Sequence, residues 1–124
     1  MAEELIELEP ENTTYRRDLS ISYNKLADLA REAGELETAR ELVDRAVHIR
    51  RAVHRLEPRR VDVAVELAYT LYLCALIVAD EAREGAGQAE RKEIKEVLIP
   101  FEGAGLLTTR GHGLLEWARE EDSD

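Results

Sequence analysis

Residues 19–46 read LSISYNKLADLAREAGELETARELVDRA, and the spacing of their small and apolar members decides the fold class. Leu19, Tyr23, Leu26, Ala27, Ala30 and Ala33 recur at intervals close to the helical period, with Asp28, Arg31 and Glu32 between them. Gly34 is a natural stop, because glycine alone enters the left-handed backbone region without steric cost. A second helix is expected from about Glu35 to Arg55, with Leu36, Ala39, Val43, Ala46, Val47 and Val53 on one face. Its other face carries Arg40, Glu41, Asp44, Arg45 and Arg51, including an i,i+4 pair of Glu41 and Arg45, and reads as a solvated charge stripe. No strand pattern is present.

Outward from this hairpin the pattern repeats. Leu8-Glu9-Pro10 returns as Leu56-Glu57-Pro58, 48 residues on, and Leu19, Leu26 and Leu29 then align with Leu67, Cys74 and Ile77. A looser third copy starts at Leu98-Ile99-Pro100. Asn12 reads as the first helix cap, and Pro58 as a separator of units. A third helix, about Arg59 to Arg83, is apolar nearly all round between Val63 and Ala79, so it must be covered on several sides. Gly85 and Gly87 break the chain, and a shorter helix from about Gln88 to Leu98 is expected to stop before Pro100. Beyond it, Gly103, Gly105, Gly111 and Gly113 each lower helix propensity by about 1 kcal/mol relative to Ala, yet Leu106, Leu107, Leu114, Leu115 and Trp117 point to a terminal capping helix. Glu120, Glu121, Asp122 and Asp124 form an acidic end expected to fray. The expectation is one all-α domain over residues 1–124, built of stacked antiparallel helical hairpins at about 12–56 and 58–99 with a capping segment at 100–120.

The chain has 124 residues, 27 acidic and 17 basic, for a net charge of −10. That sign repels phosphate backbones and anionic lipid heads, which argues against nucleic acid and membrane as partners and for a protein or peptide of basic character. Cys74 is the one cysteine; with Leu73, Ala75 and Leu76 around it, it reads as a small buried hydrophobe in a reducing compartment. The window Val61 to Ala79 approaches membrane-spanning length, but Asp62, Glu66 and Thr70 favour a buried helix. With no secretory signal visible after Met1-Ala2-Glu3-Glu4, the expected location is cytoplasmic.

The stretch Tyr23-Asn24-Lys25-Leu26-Ala27, then Gly34-Glu35-Leu36, Ala39, Val43 and Ala46, resembles the tetratricopeptide repeat. In that family a 34-residue helix-turn-helix sets small residues where helices cross and a Gly at the turn; Ala39 and Ala46 stand at the crossing positions here. The 48-residue spacing departs from the standard repeat and is similar to the long-helix repeats of large bacterial multidomain proteins. The resemblance covers residues 9 to 56 well, extends to about 98, and fades beyond. It implies a stacked helical superstructure that binds proteins or peptides on its surface. It also places groove-side positions at Asn24 and Asp28 in the first copy and at Tyr72 and Leu76 in the second, with Tyr69 one turn earlier. Asp28 would repel a terminal carboxylate, which argues against the family's chaperone-tail clamp. The groove would offer a tyrosine-bearing floor edged by Asp28, Glu32 and Asp80, with Arg31 beside them. The competing reading is that the last helices cover Tyr69 and Tyr72 as core.

No catalytic or metal-binding constellation stands out. His48 and His54 are six apart, nearly opposite on a helix, and Asp44 with His48 makes only two ligands. Ser20 and Ser22 sit on a helix flank with no histidine near and no Gly-x-Ser-x-Gly elbow. The run Gly103 to Gly113, with Arg110 and His112, lacks the phosphate-loop pattern and reads as a capping turn. The expected function is therefore a non-catalytic protein-interaction adaptor without cofactor or metal. The alternative is a self-associating unit, dimerising through the third helix or the C-terminal helix.

Overall fold

Two hydrogen bonds close the first helix where the glycine predicts. In the computed structural model, which describes residues 13–81 and 87–120, α1 spans Thr13–Glu32 and Gly34 follows at φ 79°. The Gly34 N–H donates to the Arg31 carbonyl at 3.0 Å and the Glu35 N–H to the Ala30 carbonyl at 2.9 Å, a Schellman closure that turns the chain into α2, Leu36–Leu56. The same pairing closes the fourth helix at Gly105, where Gly105 and Leu106 donate to the carbonyls of Glu102 and Phe101 at 3.0 and 2.9 Å. The described chain is all helical: α3 is Val61–Asp80, α4 Gln88–Gly103 and α5 Thr109–Glu120, with no strand among the described residues. The expected cap at Asn12, the break at Gly85 and the acidic end past Glu120 lie outside those residues.

Each helix packs on its sequence neighbour, and α3 also contacts α1 and α5, so α3 touches every other described helix. This follows from its composition: Leu67, Leu71, Leu73 and Ile77 are at most 2% exposed, on different sides of the helix. It is long and apolar enough to cross a membrane by length and composition, and 56% of that window is buried inside the protein. α1 and α2 meet through Ala27, Ala30, Ala39 and Val43 beneath Leu73 and Ile77 of α3. Small residues at that crossing let the helix axes approach closely. α3, α4 and α5 meet around Leu67, Leu71, Ile94, Leu98 and Leu115.

α1 and α3 run parallel in a fixed register. Arg17 reaches Glu66 at 2.6 Å, and Arg31 reaches Asp80 at 2.7 Å, each pair 49 residues apart in sequence. The repeated sequence copies thus lie side by side.

Two expectations need correction. α4 continues through Pro100 to Gly103 instead of stopping before it. A proline there forfeits one backbone hydrogen bond near the helix end, while Leu98 at 0% and Phe101 at 7% exposure anchor the turns on either side in the core. Ser20, read as lying on a helix flank, is 0% exposed.

The glycines of α5 have separate reasons. At Gly111 an added Cβ would stand 2.7 Å from Leu107 Cδ1 and 3.2 Å from Val65 Cγ2, so this glycine lets α5 and its leading loop press on α3. At Gly113 a Cβ would meet nothing within 4 Å. Gly113→Ala should therefore stabilise by up to about 1 kcal/mol through helix propensity, whereas Gly111→Ala should destabilise by about 1 kcal/mol or more through overpacking. Thermal unfolding of the two variants checks the opposite signs.

Candidate functional site

α2 carries a stripe at positions 39, 43, 46, 50 and 53, spaced four, three, four, three, and all five residues are buried. Four of them are Ala or Val. The fourth in order is Arg50, 6% exposed, so the helix period itself drives a guanidinium between α1 and α3. There its Nε donates to Ser20 Oγ at 3.1 Å, and its Nη1 to the Glu66 carbonyl at 2.9 Å and to Thr70 Oγ1. The Thr70 hydroxyl lies 3.1 Å from both Asn24 Oδ1 and the Glu66 carbonyl. Ser20 donates in turn to the Arg17 carbonyl at 2.8 Å. Burial pushes the Arg50 pKa down, Glu66 opposes that shift, and Arg110 and Arg17 add to it.

On the open side of this network lies a cavity of about 370 Å³ between α1, α3 and α5. Ile21, Asn24, Lys25 and Asp28 line it from α1, Glu66 and Tyr69 from α3, Arg110 from α5, and Arg50 forms part of its floor. The Arg110 guanidinium sits over the Tyr69 ring at 4.2 Å from its centre, a cation–π contact that fixes the side chain at the cavity mouth. Glu66 is held by Arg17 through two contacts of 2.6 and 3.1 Å.

The groove residues expected from sequence divide accordingly. Asn24, Asp28 and Tyr69 come together in the cavity. Arg31 and Asp80 pair with each other at the far end of the α1–α3 seam, so Asp80 offers no free negative edge. Glu32 is exposed at the end of α1. Tyr72 does not line the cavity; it packs edge-on against Trp117 at 4.8 Å in the α3–α5 seam. Leu76 is half-buried and also stands apart from it. Both tyrosines are half-buried against the same core cluster, and Tyr69 alone also lines the cavity.

Arg50, Thr70 and Lys25 are site residues that sequence reading missed, whereas it puts Ser20 on a helix flank and weighs Arg110 as an anion holder only to favour a capping turn. A signal for Arg50 was available, since it falls in phase with Ala39, Val43, Ala46 and Val53. Cys74 is half-buried with its thiol pushed up to about 12 by burial, so it stays protonated and inert at neutral pH. Among the described residues no three His, Cys, Asp or Glu side chains are grouped to hold a metal ion.

A second cavity, about 440 Å³, opens between α2 and α4, where Arg51 forks onto Glu93 with Nε at 2.7 Å, and His54 lines it. His54 Nδ1 is buried with no hydrogen-bond partner among the described residues. Burial pushes the His54 pKa down, with Glu93 opposing. Its neutral form is thus favoured by folding, and that stability is present above pH 6.5 and lost as pH falls below it. The Tm advantage of the native chain over His54→Gln should therefore shrink between pH 7.5 and 5.5, which thermal scans at several pH values would show. Thr70→Val should cost about 1–3 kcal/mol, because it removes the acceptor of Arg50 Nη1 and the donor to Asn24. Urea unfolding measures that loss.

The chain matches no protein-family model, no curated protein and no solved structure.

Proposed function

We propose that the protein is a non-catalytic interaction module of tetratricopeptide-like architecture, a short helical solenoid that presents its α1–α3–α5 face to a protein or peptide partner. The observation that carries this reading is the parallel register of α1 and α3, which ranks helices from successive units side by side and leaves a cavity of about 370 Å³ open along them. The Schellman turn at Gly34 and the small-residue crossing at Ala27, Ala30 and Ala39 support the same architecture. Partner recognition would combine the apolar Ile21, 39% exposed, with charges from Asp28 and Lys25 at the cavity and from the exposed Glu32 at the end of α1. Basic residues of the partner would meet Asp28 and Glu32. A cytoplasmic adaptor role suits this reading, with no cofactor invoked.

Self-association is the second reading, and its favoured surface shifts. α3 is buried within the chain, and Trp117 packs under Arg91 at 3.8 Å and beside Tyr72, so a dimer through either would have to displace internal contacts. Leu26 and Leu29 of α1, 50% and 61% exposed, are adjacent members of a larger set of exposed apolar residues that includes Leu56, Ile99 and Leu106, and they offer a second copy a surface on one helix.

Crosslinking from cell extract with the intact chain tests the two together. Expected is a set of proteins captured by the native chain, lost with Ile21→Asp plus Asp28→Lys and retained with Leu29→Ser. Binding of any such protein should weaken several-fold between about 50 and 500 mM salt, as screening predicts for a charged groove edge. An identical set from all variants would overturn the groove reading, and a dimer lost on Leu29→Ser would establish self-association instead.

A further inference from the structure

Arg50 is a buried cation without an ion pair to any described residue. Three of its five N–H protons go to neutral oxygens, those of Ser20, Thr70 and the Glu66 backbone. No described carboxylate forms an ion pair with it; Glu66, whose charge acts on it through space, is bonded to Arg17 instead. Nη2 has no partner among the described residues, and the side chain forms part of the cavity floor. A charge so placed is costly unless an ion meets it, and a guanidinium edge is shaped for two oxygens of one group.

The surroundings point the same way. Arg110 makes no ion pair with a described residue, and its stacking on Tyr69 leaves its in-plane N–H donors available at the cavity mouth. Lys25 adds a third cation and Asp28 one opposing carboxylate, both lining the cavity. The lining carries three cations, Lys25, Arg50 and Arg110, against two carboxylates, Asp28 and Glu66, a positive excess inside a chain whose net charge is −10, and Glu66 is further engaged by Arg17. The sign of the groove is thus locally inverted.

We propose that the α1–α3–α5 cavity is a seat for an oxyanion carried by the partner, a carboxylate or phosphate group received by Arg50 Nη2 and Arg110 and steered by Lys25. The proposal rests on the reading of that face as the partner surface, and it adds an anionic contact at the centre of a groove whose edge faces basic residues. Asp28 opposes the anion and sets how selective the seat is.

The test uses the full chain, with inorganic phosphate and succinate as separate probes at constant ionic strength. Arginine Nε–H signals are followed by NMR. The Arg50 and Arg110 signals should move saturably with at least one probe. Arg110→Gln should weaken that binding by about threefold or more, Asp28→Asn should tighten it by a similar factor, and Glu37→Gln on α2 should leave it unchanged. Both groove variants are on side chains at the cavity surface, so the test does not depend on an Arg50 variant folding. Saturation by phosphate alone assigns a phosphate group, by succinate alone a carboxylate, and by both a general oxyanion seat. No saturation by either probe, or saturation untouched by Arg110→Gln and Asp28→Asn, overturns the proposal. A partner captured through the groove with neither probe saturating would sink the seat and leave the module intact. A saturating probe with no captured partner would do the reverse.

Discussion

A guanidinium forced into an apolar stripe organises the first three helices. Arg50 stands in phase with Ala39, Val43, Ala46 and Val53, so α2 cannot bury its packing face without burying this cation too. Ser20, Asn24 and Thr70, all buried, are the answer of the neighbouring helices. Each hydrogen bond to a charged group contributes about 1.5–3 kcal/mol, set against a desolvation cost of several kcal/mol for the ion. The balance is close, and it fixes the geometry strictly: only one setting of α1 and α3 brings Ser20 Oγ and the Glu66 carbonyl to two edges of one planar group. Apolar packing alone would tolerate small slides of these helices.

Helix existence was legible because periodicity is a local property. The three- and four-residue spacing from Leu19, the stop at Gly34 and the all-round apolar character of α3 each follow from residues close in sequence, and the structure bears them out. Pro100 misled because proline's effect on a helix depends on what holds the turns beside it, and Leu98 and Phe101 are anchored by residues far away in sequence. Gly111 was read as a propensity defect when its use is proximity to Val65.

The site was legible only in part, for a similar reason. Asn24, Asp28 and Tyr69 were reachable through helix positions, yet the cations that share their cavity come from three helices. Arg50 was passed over because arginine is ordinarily counted with the solvated face, and only its phase gives it away. The tyrosines could not be separated in sequence, since three residues put Tyr69 and Tyr72 on neighbouring parts of α3; both pack on the core, and it is α5 that sets Arg110 over Tyr69 beside the cavity and Trp117 against Tyr72. The net charge of −10 described the whole and hid a local reversal of sign.

The paired contacts of Arg17 with Glu66 and Arg31 with Asp80 act as a vernier. The two arginines are 14 residues apart on α1, and so are the two acids on α3, which is two heptads on each helix. Either pair, still partly open to solvent, contributes little to stability by itself. A slide by one helical turn, about 5.4 Å, toward the N-terminus of α3 would still leave Arg17 facing Asp62, which it already touches at 3.4 Å, but would part Arg31 from Asp80. The two pairs therefore help to set the alignment of α1 on α3, along a seam where Ala27 and Ala30 of α1 meet Leu73 and Ile77 of α3.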